Sequence, residues 1–167
     1  MRPPDADVNE ILPLGKIGQA RHRGAAAVAL VDSKRRGAYP SSMTVKLNHT
    51  IVNVRDKRES ATFFVELFGL PAPVPFGPFL DVEVANEVTL AFCDSDDDVE
   101  PQHYAFLVSD AEFDQIFGRV KERRLDYWAD PRKSRNGEIN HNFGGRGVYF
   151  EDPSGHFLEI ITRPYET

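Results

Sequence analysis

The stretch VYFEDPSGHFLEII, residues 148–161, predicts a β-hairpin. Its two apolar segments, residues 148–150 and 157–161, are typical of strands, and DPSG at residues 152–155 has the composition of a tight turn. Side chains alternate across a strand, so Glu159 shares a face with an aromatic residue two positions before it and an isoleucine two positions after it. A carboxylate in that setting needs a partner to offset its burial, and a metal ion is one such partner.

The chain before this hairpin predicts a strand, a helix and more strands, beginning near Met43. Residues 47–54 are rich in β-branched side chains, as strands are. Asp56 and Glu59 fit a helix N-terminus, and Gly69 fits its end. Three further strand segments follow: a short one near Val74, weakened by its prolines, then residues 79–84 and residues 88–92.

The second half of the chain repeats this order. Residues 103–108 predict a strand, Ser109 and Glu112 form a capping box, and a helix continues to about Arg124. A long polar stretch, residues 130–146, then leads to the final hairpin. An internal repeat of a βαβββ unit is the simplest interpretation.

Two such units, residues about 43–98 and 99–167, predict an α+β fold. We expect an eight-stranded, partly closed sheet that curves around a cup, with the helices outside. The first strand of each unit carries a histidine near its start, His49 and His103, and pseudo-symmetry should bring both close to Glu159 at the centre of the cup. Two imidazoles and one carboxylate leave coordination positions open, as Fe(II) oxygenases require and Mn(II) also accepts.

Composition and charge exclude several classes of protein. The 167 residues carry a net charge of −6 and one cysteine, Cys93, so no internal disulfide is possible and a cytoplasmic setting is the default. Residues 1–42 hold a charge of +3 and look like a poorly ordered appendage, whereas residues 43–167 hold −9. That acidic body argues against a nucleic-acid partner, and no apolar run approaches the roughly 20 residues that span a bilayer.

Three segments, LNHTIV at residues 47–52, QHYAF at residues 102–106 and DPSGHFLEI at residues 152–160, resemble the vicinal oxygen chelate superfamily. The resemblance covers residues 43–167 of the chain. That superfamily includes glyoxalase I, fosfomycin-resistance thiol transferases, bleomycin-binding proteins and type I extradiol ring-cleavage dioxygenases. It implies an enzyme acting on a small molecule, with metal ligands at His49, His103 and Glu159.

Within that superfamily the sequence is similar to the type I extradiol dioxygenase signature, which runs from His141 through Tyr149 to the final turn and Glu159. The similarity implies Fe(II) and a catechol-like substrate. It also implies that His141 acts as an acid/base or oxygen-positioning residue, and that Tyr149 hydrogen-bonds the bound catecholate.

Other members of the superfamily supply alternatives. Glyoxalase I has a fourth ligand, a carboxylate, where this sequence has Ala91 or Leu90, so a four-ligand site is not expected. An isomerase or a fosfomycin-resistance-like thiol transferase could use the same three ligands with Mn(II), Ni(II) or Zn(II). A metal-free drug-binding protein of the bleomycin-resistance type is a third possibility, but the metal triad argues against it.

The remaining residues of the cup predict a substrate that is partly aromatic or apolar. The predicted substrate contacts are Asn53, on the strand face of His49, and the aromatic residues Phe79, Trp128 and Phe157. We also expect a homodimer, because related folds pair, in some cases by exchanging units, and an exposed sheet edge permits this.

Overall fold

The computed structural model describes residues 45–165, which form two βαβββ units. The first unit contains β1 (His49–Val54), α1 (Lys57–Phe68), β2 (Val74–Phe76), β3 (Phe79–Val84) and β4 (Val88–Asp94). The second contains β5 (His103–Leu107), α2 (Asp110–Glu122), β6 (Tyr127–Trp128), β7 (Gly147–Glu151) and β8 (Phe157–Ile161). The predicted appendage, residues 1–42, lies outside the described residues.

Both helices begin at the predicted caps. The Asp56 side chain accepts hydrogen bonds from the backbone N–H groups of Arg58 and Glu59 at 2.8 and 3.0 Å. Ser109 and Glu112 form a reciprocal capping box at the start of α2. The first helix ends at Gly69, whose φ of 73° is left-handed and favours glycine. Local sequence therefore determines where each helix starts.

The predicted α+β fold of two βαβββ units is confirmed, and its eight strands are divided between two four-stranded sheets. Sheet A has the order β1-β4-β3-β2, and sheet B has the order β5-β8-β7-β6. Each unit's first strand pairs in parallel with the last strand of its own unit, β1 with β4 and β5 with β8. Within residues 45–165 the other edges of β1 and β5 have no strand partner, so the two sheets do not join.

One core packs the back faces of both sheets against the helices. Phe64 of α1 lies between them, with its ring centroid 5.9 Å from that of Phe92 in sheet A and 5.3 Å from that of Phe106 in sheet B. Phe113 of α2 and Phe150 of β7 are fully buried in the same core. Because side chains alternate along each strand, the opposite faces carry the histidines.

His156, directly after the DPSG turn, is buried, with 1% of its surface exposed. Its Nδ1 accepts a hydrogen bond from the backbone N–H of Gln102 at 3.0 Å, and its Nε2–H donates to the backbone carbonyl of Asn53 at 2.8 Å. These two bonds require the neutral ring with its proton on Nε2. The side chain thus joins the end of β1 to the start of β5.

Among the helices in residues 45–165, none is long and apolar enough to cross a membrane.

Candidate metal centre

Two of the predicted metal ligands meet on the open face of sheet B. The parallel pairing of β5 with β8 sets His103 opposite Phe157 and Ala105 opposite Glu159. Across this register the Nε2 atom of His103 lies 3.3 Å from the Oε2 atom of Glu159. The Glu159 side chain is fully buried, whereas about half of the His103 ring surface, 48%, is exposed. A small ligand can therefore approach the pair from the histidine side.

The hydrogen bonds of this pair leave two lone pairs directed toward one point. His103 donates from Nδ1 to the backbone carbonyl of Phe157 at 3.0 Å, so its Nε2 is free of that proton. Glu159 Oε2 is buried and has no hydrogen-bond partner among the described residues. Two ligand atoms about 2.0–2.2 Å from one cation lie roughly 3 Å from each other. The donor types, the orphaned oxygen and the separation all fit a metal ion.

The second oxygen of Glu159 is held by a tyrosine that the sequence analysis missed. Tyr165 donates its hydroxyl to Oε1 of Glu159, and the hydroxyl oxygens of Tyr165 and Tyr149 are 3.1 Å apart. Tyr165 follows the last strand in a short segment without periodic pattern, so only its aromatic character close behind Glu159 could have indicated this contact. It makes the carboxylate a part of a hydrogen-bonded network.

Three predicted side chains form an aromatic wall beside the pair. The ring of Tyr149 is stacked on those of Phe157 and His103, with centroids 5.4 and 5.9 Å away and planes inclined by 22° and 28°. Trp128 adds to the wall, with its centroid 6.0 Å from that of Phe157. Tyr149 and Trp128 are largely buried, and Nζ of Lys133 lies over the rings of Trp128 and Phe157, 4.8 and 5.5 Å from their centroids.

Burial, together with the neighbouring Glu159 carboxylate, raises the pKa of Tyr149 far above its ordinary value. The phenol therefore stays protonated at neutral pH. Because that proton is directed toward the Tyr165 hydroxyl, the Tyr149 oxygen is left as a hydrogen-bond acceptor.

His49 lies at the equivalent position on the open face of sheet A. Its strand neighbour Ile51 pairs with Ala91, as Ala105 pairs with Glu159 in sheet B, so Ala91 occupies the place of the carboxylate. His49 Nδ1 bonds to the side-chain oxygen of Asn48 at 2.9 Å, which leaves Nε2 available in the same way as in His103. The predicted contact residues Asn53 and Phe79 share this face of the sheet.

Asp81 on β3 is a further residue of this face that sequence reasoning did not identify. It pairs with Ala91, and one of its carboxylate oxygens is buried without a hydrogen-bond partner in the described part of the chain. Burial raises the pKa of Asp81, and the charge of His49 opposes that shift. The register makes Asp81 the counterpart of Tyr149, which pairs with Glu159.

The full triad does not assemble within one chain, contrary to the expectation that His49 lies close to His103. Among the described residues, no group of three His, Cys, Asp or Glu side chains is arranged to hold a metal ion. The reason is the sheet topology, since β1 and β5 are edge strands of separate sheets. Each chain therefore presents two part-sites, His49 on sheet A and His103 with Glu159 on sheet B.

His141, predicted as an acid/base residue, is exposed and precedes the short 3₁₀ turn Asn142–Gly144. Its ring makes no polar contact with the His103 and Glu159 pair in the described structure. The turn itself approaches the site, because the ring of Phe143 is 5.1 Å from that of Tyr165. The structure thus places the loop near the site but does not assign His141 a partner.

Comparisons with known proteins agree with this architecture. The "Glutathione transferase FosA" of Serratia marcescens is 30% identical over 124 residues, 71% of this chain and 81% of that protein. The solved structure of "Oxidase ChaP-H1" is 60% identical, with a TM-score of 0.72, and the match covers 74% of this chain and 99% of that one. "Oxidase ChaP-H2" is 58% identical, with a TM-score of 0.73, over 75% and 98% of the two chains.

Residues 46–160, most of the described chain, match a single protein-family model. The two βαβββ units agree with this match, and the similar proteins include a transferase and two oxidases. The chain belongs to the Glyoxalase/Bleomycin resistance protein/Dioxygenase superfamily.

Proposed function

We propose that this protein is a metal-dependent oxygenase for a phenolic, catechol-like small molecule, with ring cleavage as the favoured reaction. The metal, Fe(II) by preference, is held by His103 and Glu159 of one chain and by His49 of a second copy. The observation that carries the proposal is the pair of free ligand atoms 3.3 Å apart, His103 Nε2 and buried Glu159 Oε2. An imidazole and a carboxylate in this arrangement suit an open Fe(II) or Mn(II) site.

A second copy supplies the missing imidazole in the simplest way. The free edges of β1 and β5 allow β1 of one chain to lie beside β5 of the other, and two-fold symmetry forms the same contact twice. Apolar side chains stand exposed along both strands and just before β1, at 65% for Leu47, 40% for Ile51 and 62% for Leu107. Burying them would stabilise the dimer and place His49 on the face of His103.

The chain's own residues account for binding and orientation of the substrate. An aromatic ring packs against the accessible part of Phe157, the one wall residue that is only half-buried. Tyr149 donates its proton to Tyr165 and accepts a hydrogen bond from a substrate hydroxyl. His141, in the adjoining loop, moves protons to and from the substrate. When bound, the metal supplies Lewis acidity and a route for electrons between substrate and dioxygen.

The similarity to known proteins favours oxidation over thiol transfer as the reaction. The two oxidases are 60% and 58% identical to this chain, about twice the 30% identity of the glutathione transferase. Thiol transfer with the same ligands remains the alternative that the experiment below separates.

Oxygen uptake by the anaerobically Fe(II)-loaded full-length protein tests the proposal. We expect uptake and ring-cleavage products with members of a catechol panel, and no such activity in the His49→Ala variant. The matched control is His22→Ala, which removes a histidine outside the residues matched to the superfamily. Inertness toward every diol, together with Mn(II)-dependent addition of glutathione to an epoxide, would replace oxygenation by thiol transfer.

A further inference from the structure

The C-terminal segment of the described chain approaches the metal part-site. Tyr165 lies six residues after Glu159, and its hydroxyl reaches back to Oε1 of that carboxylate. The other oxygen, Oε2, is the one that faces His103. The two oxygens of this buried carboxylate thus have different surroundings. Oε1 accepts a hydrogen bond from the Tyr165 hydroxyl, whereas Oε2 has no hydrogen-bond partner among the described residues.

The hydrogen bonds in this network run in one direction. Because Tyr165 donates its single hydroxyl proton to Glu159, the 3.1 Å contact between the two phenols requires Tyr149 to donate to Tyr165. Tyr149 therefore donates to Tyr165, and Tyr165 donates to Glu159. Chained hydrogen bonds of this kind strengthen one another, and the last one bears on the carboxylate.

The segment is fixed by the loop on the other side of the site. Phe143 packs against the Tyr165 ring at 5.1 Å, and the Phe143 backbone has a left-handed φ of 54°. A Cβ at Gly145 would meet Cβ of Arg163 at 2.9 Å, so only glycine allows this close approach. The loop and the C-terminal segment therefore hold Tyr165 over Glu159.

We infer that Tyr165 is a positioning residue that keeps Oε1 of Glu159 out of the metal's coordination and leaves Oε2 as its single carboxylate ligand. This inference rests on the proposed metal site. Monodentate binding by Glu159 keeps one more coordination position open for substrate, which a bidentate carboxylate would fill. Partners beyond the ligands themselves orient carboxylates in this way and affect metal affinity by about 10- to 100-fold.

A purely structural role makes a different prediction. If Tyr165 only satisfies a buried oxygen, its loss lowers the stability of the metal-free protein and leaves the coordination of a bound metal unchanged. A spectroscopic measurement of coordination therefore separates the two roles. Co(II) is a suitable probe, because its visible absorption weakens as the number of ligands increases.

The experiment titrates full-length protein with Co(II) and follows the visible spectrum and the binding heat. Tyr165→Phe should show a weaker, shifted visible band, because Oε1 then becomes free to coordinate. Its Co(II) affinity should fall about tenfold, because the carboxylate loses the phenol that orients it. Tyr127→Phe makes the same chemical change on β6, where the side chain packs against Phe117 in the core, and should match the wild type. Phe143→Ala, which loosens the segment but keeps the hydroxyl, should give a smaller change in the same direction.

The experiment distinguishes failure of the Tyr165 positioning role from failure of the proposed metal site. An unchanged Co(II) spectrum and an affinity within about twofold of wild type in Tyr165→Phe would overturn the positioning role and leave the metal site intact, whatever happens to stability. Absence of Co(II) binding in the wild type, or binding that survives Glu159→Gln, would remove the proposed site and this inference with it.

Discussion

His103 and Glu159, on neighbouring parallel strands, direct Nε2 and Oε2 toward each other at 3.3 Å, and Oε2 has no hydrogen bond among the described residues. His103 already uses its Nδ1 proton on a backbone carbonyl. A carboxylate oxygen and an imidazole nitrogen this close require a positive charge, which either a proton on Nε2 or a bound cation supplies. The half-exposed ring leaves the pair open to a metal ion from solvent, which is the role we propose for it.

Replacing Glu159 by glutamine should abolish tight binding of divalent metal while the protein stays folded. The amide keeps the shape and can still accept from Tyr165, but it is a poor ligand, so we expect Mn(II) affinity to fall by at least about 100-fold. Isothermal titration with Mn(II) measures this. Glu151→Gln on β7, whose carboxylate bonds Lys133 at 2.5 Å, is the control. Equal Mn(II) affinity in both variants would remove Glu159 from the ligand set.

His156→Ala should destabilise the protein by roughly 2 to 4 kcal/mol. The substitution leaves a cavity and two unpaired backbone groups, the Gln102 N–H and the Asn53 carbonyl. Urea unfolding of the metal-free protein measures the change in unfolding free energy. His141→Ala, at an exposed position, should change it by less than about 0.5 kcal/mol. A similarly small effect of His156→Ala would show that the two hydrogen bonds joining the end of β1 to the start of β5 contribute little to the free energy of unfolding.

Local sequence signals identified the elements but not their assembly. The caps at Asp56 and Ser109 and the left-handed Gly69 are encoded within a few residues, and the structure confirms them. Whether β1 meets β5 in the same chain depends on contacts distant in sequence, and no local pattern contains that information. The two-residue strand β6 was missed for a related reason, since Tyr127–Trp128 is too short to show alternation.

The candidate site was also only partly predictable from the sequence. The sequence pattern placed His103, Glu159 and Tyr149 on one face, because successive side chains of a strand point to opposite faces of the sheet. Tyr165 and Asp81 could not be found in this way. Their importance comes from which buried atoms they face, and that depends on the packing of separate segments.

Ser109→Ala should lower the free energy of unfolding by about 1 kcal/mol at pH 7, through loss of the α2 cap. The Ser109 hydroxyl and backbone N–H hold the pKa of Glu112 below its usual range. A lowered carboxyl pKa stabilises the folded state above the ordinary carboxyl pKa of about 4.3, and this contribution is lost as the pH falls through the folded-state pKa. Urea unfolding should therefore show a smaller difference between variant and wild type at pH 3. An equal difference at both pH values would mean that Glu112 has no part in the effect.

Leu107→Glu should dissociate the proposed dimer without unfolding the chain. Leu107, at the end of β5, is 62% exposed in the single chain, so a charge there costs little until a second copy covers it. Light scattering after size exclusion should give the mass of one chain, and metal content should fall. Val74→Glu, 63% exposed on the opposite edge of sheet A, is the matched control and should remain dimeric. A dimeric Leu107→Glu protein with full metal content would place the interface elsewhere.

Complementation between two inactive variants tests the shared metal site most directly. His49→Ala and Glu159→Ala chains, co-expressed with different tags, form mixed dimers in which one site has lost both residues and the other keeps all three ligands. Tandem purification of the mixed dimer should recover one tightly bound Mn(II) per two chains, about half of the wild-type content, while each variant alone binds none. Mixed dimers that bind no metal would contradict the account, because they would show that His49 and Glu159 must belong to the same chain.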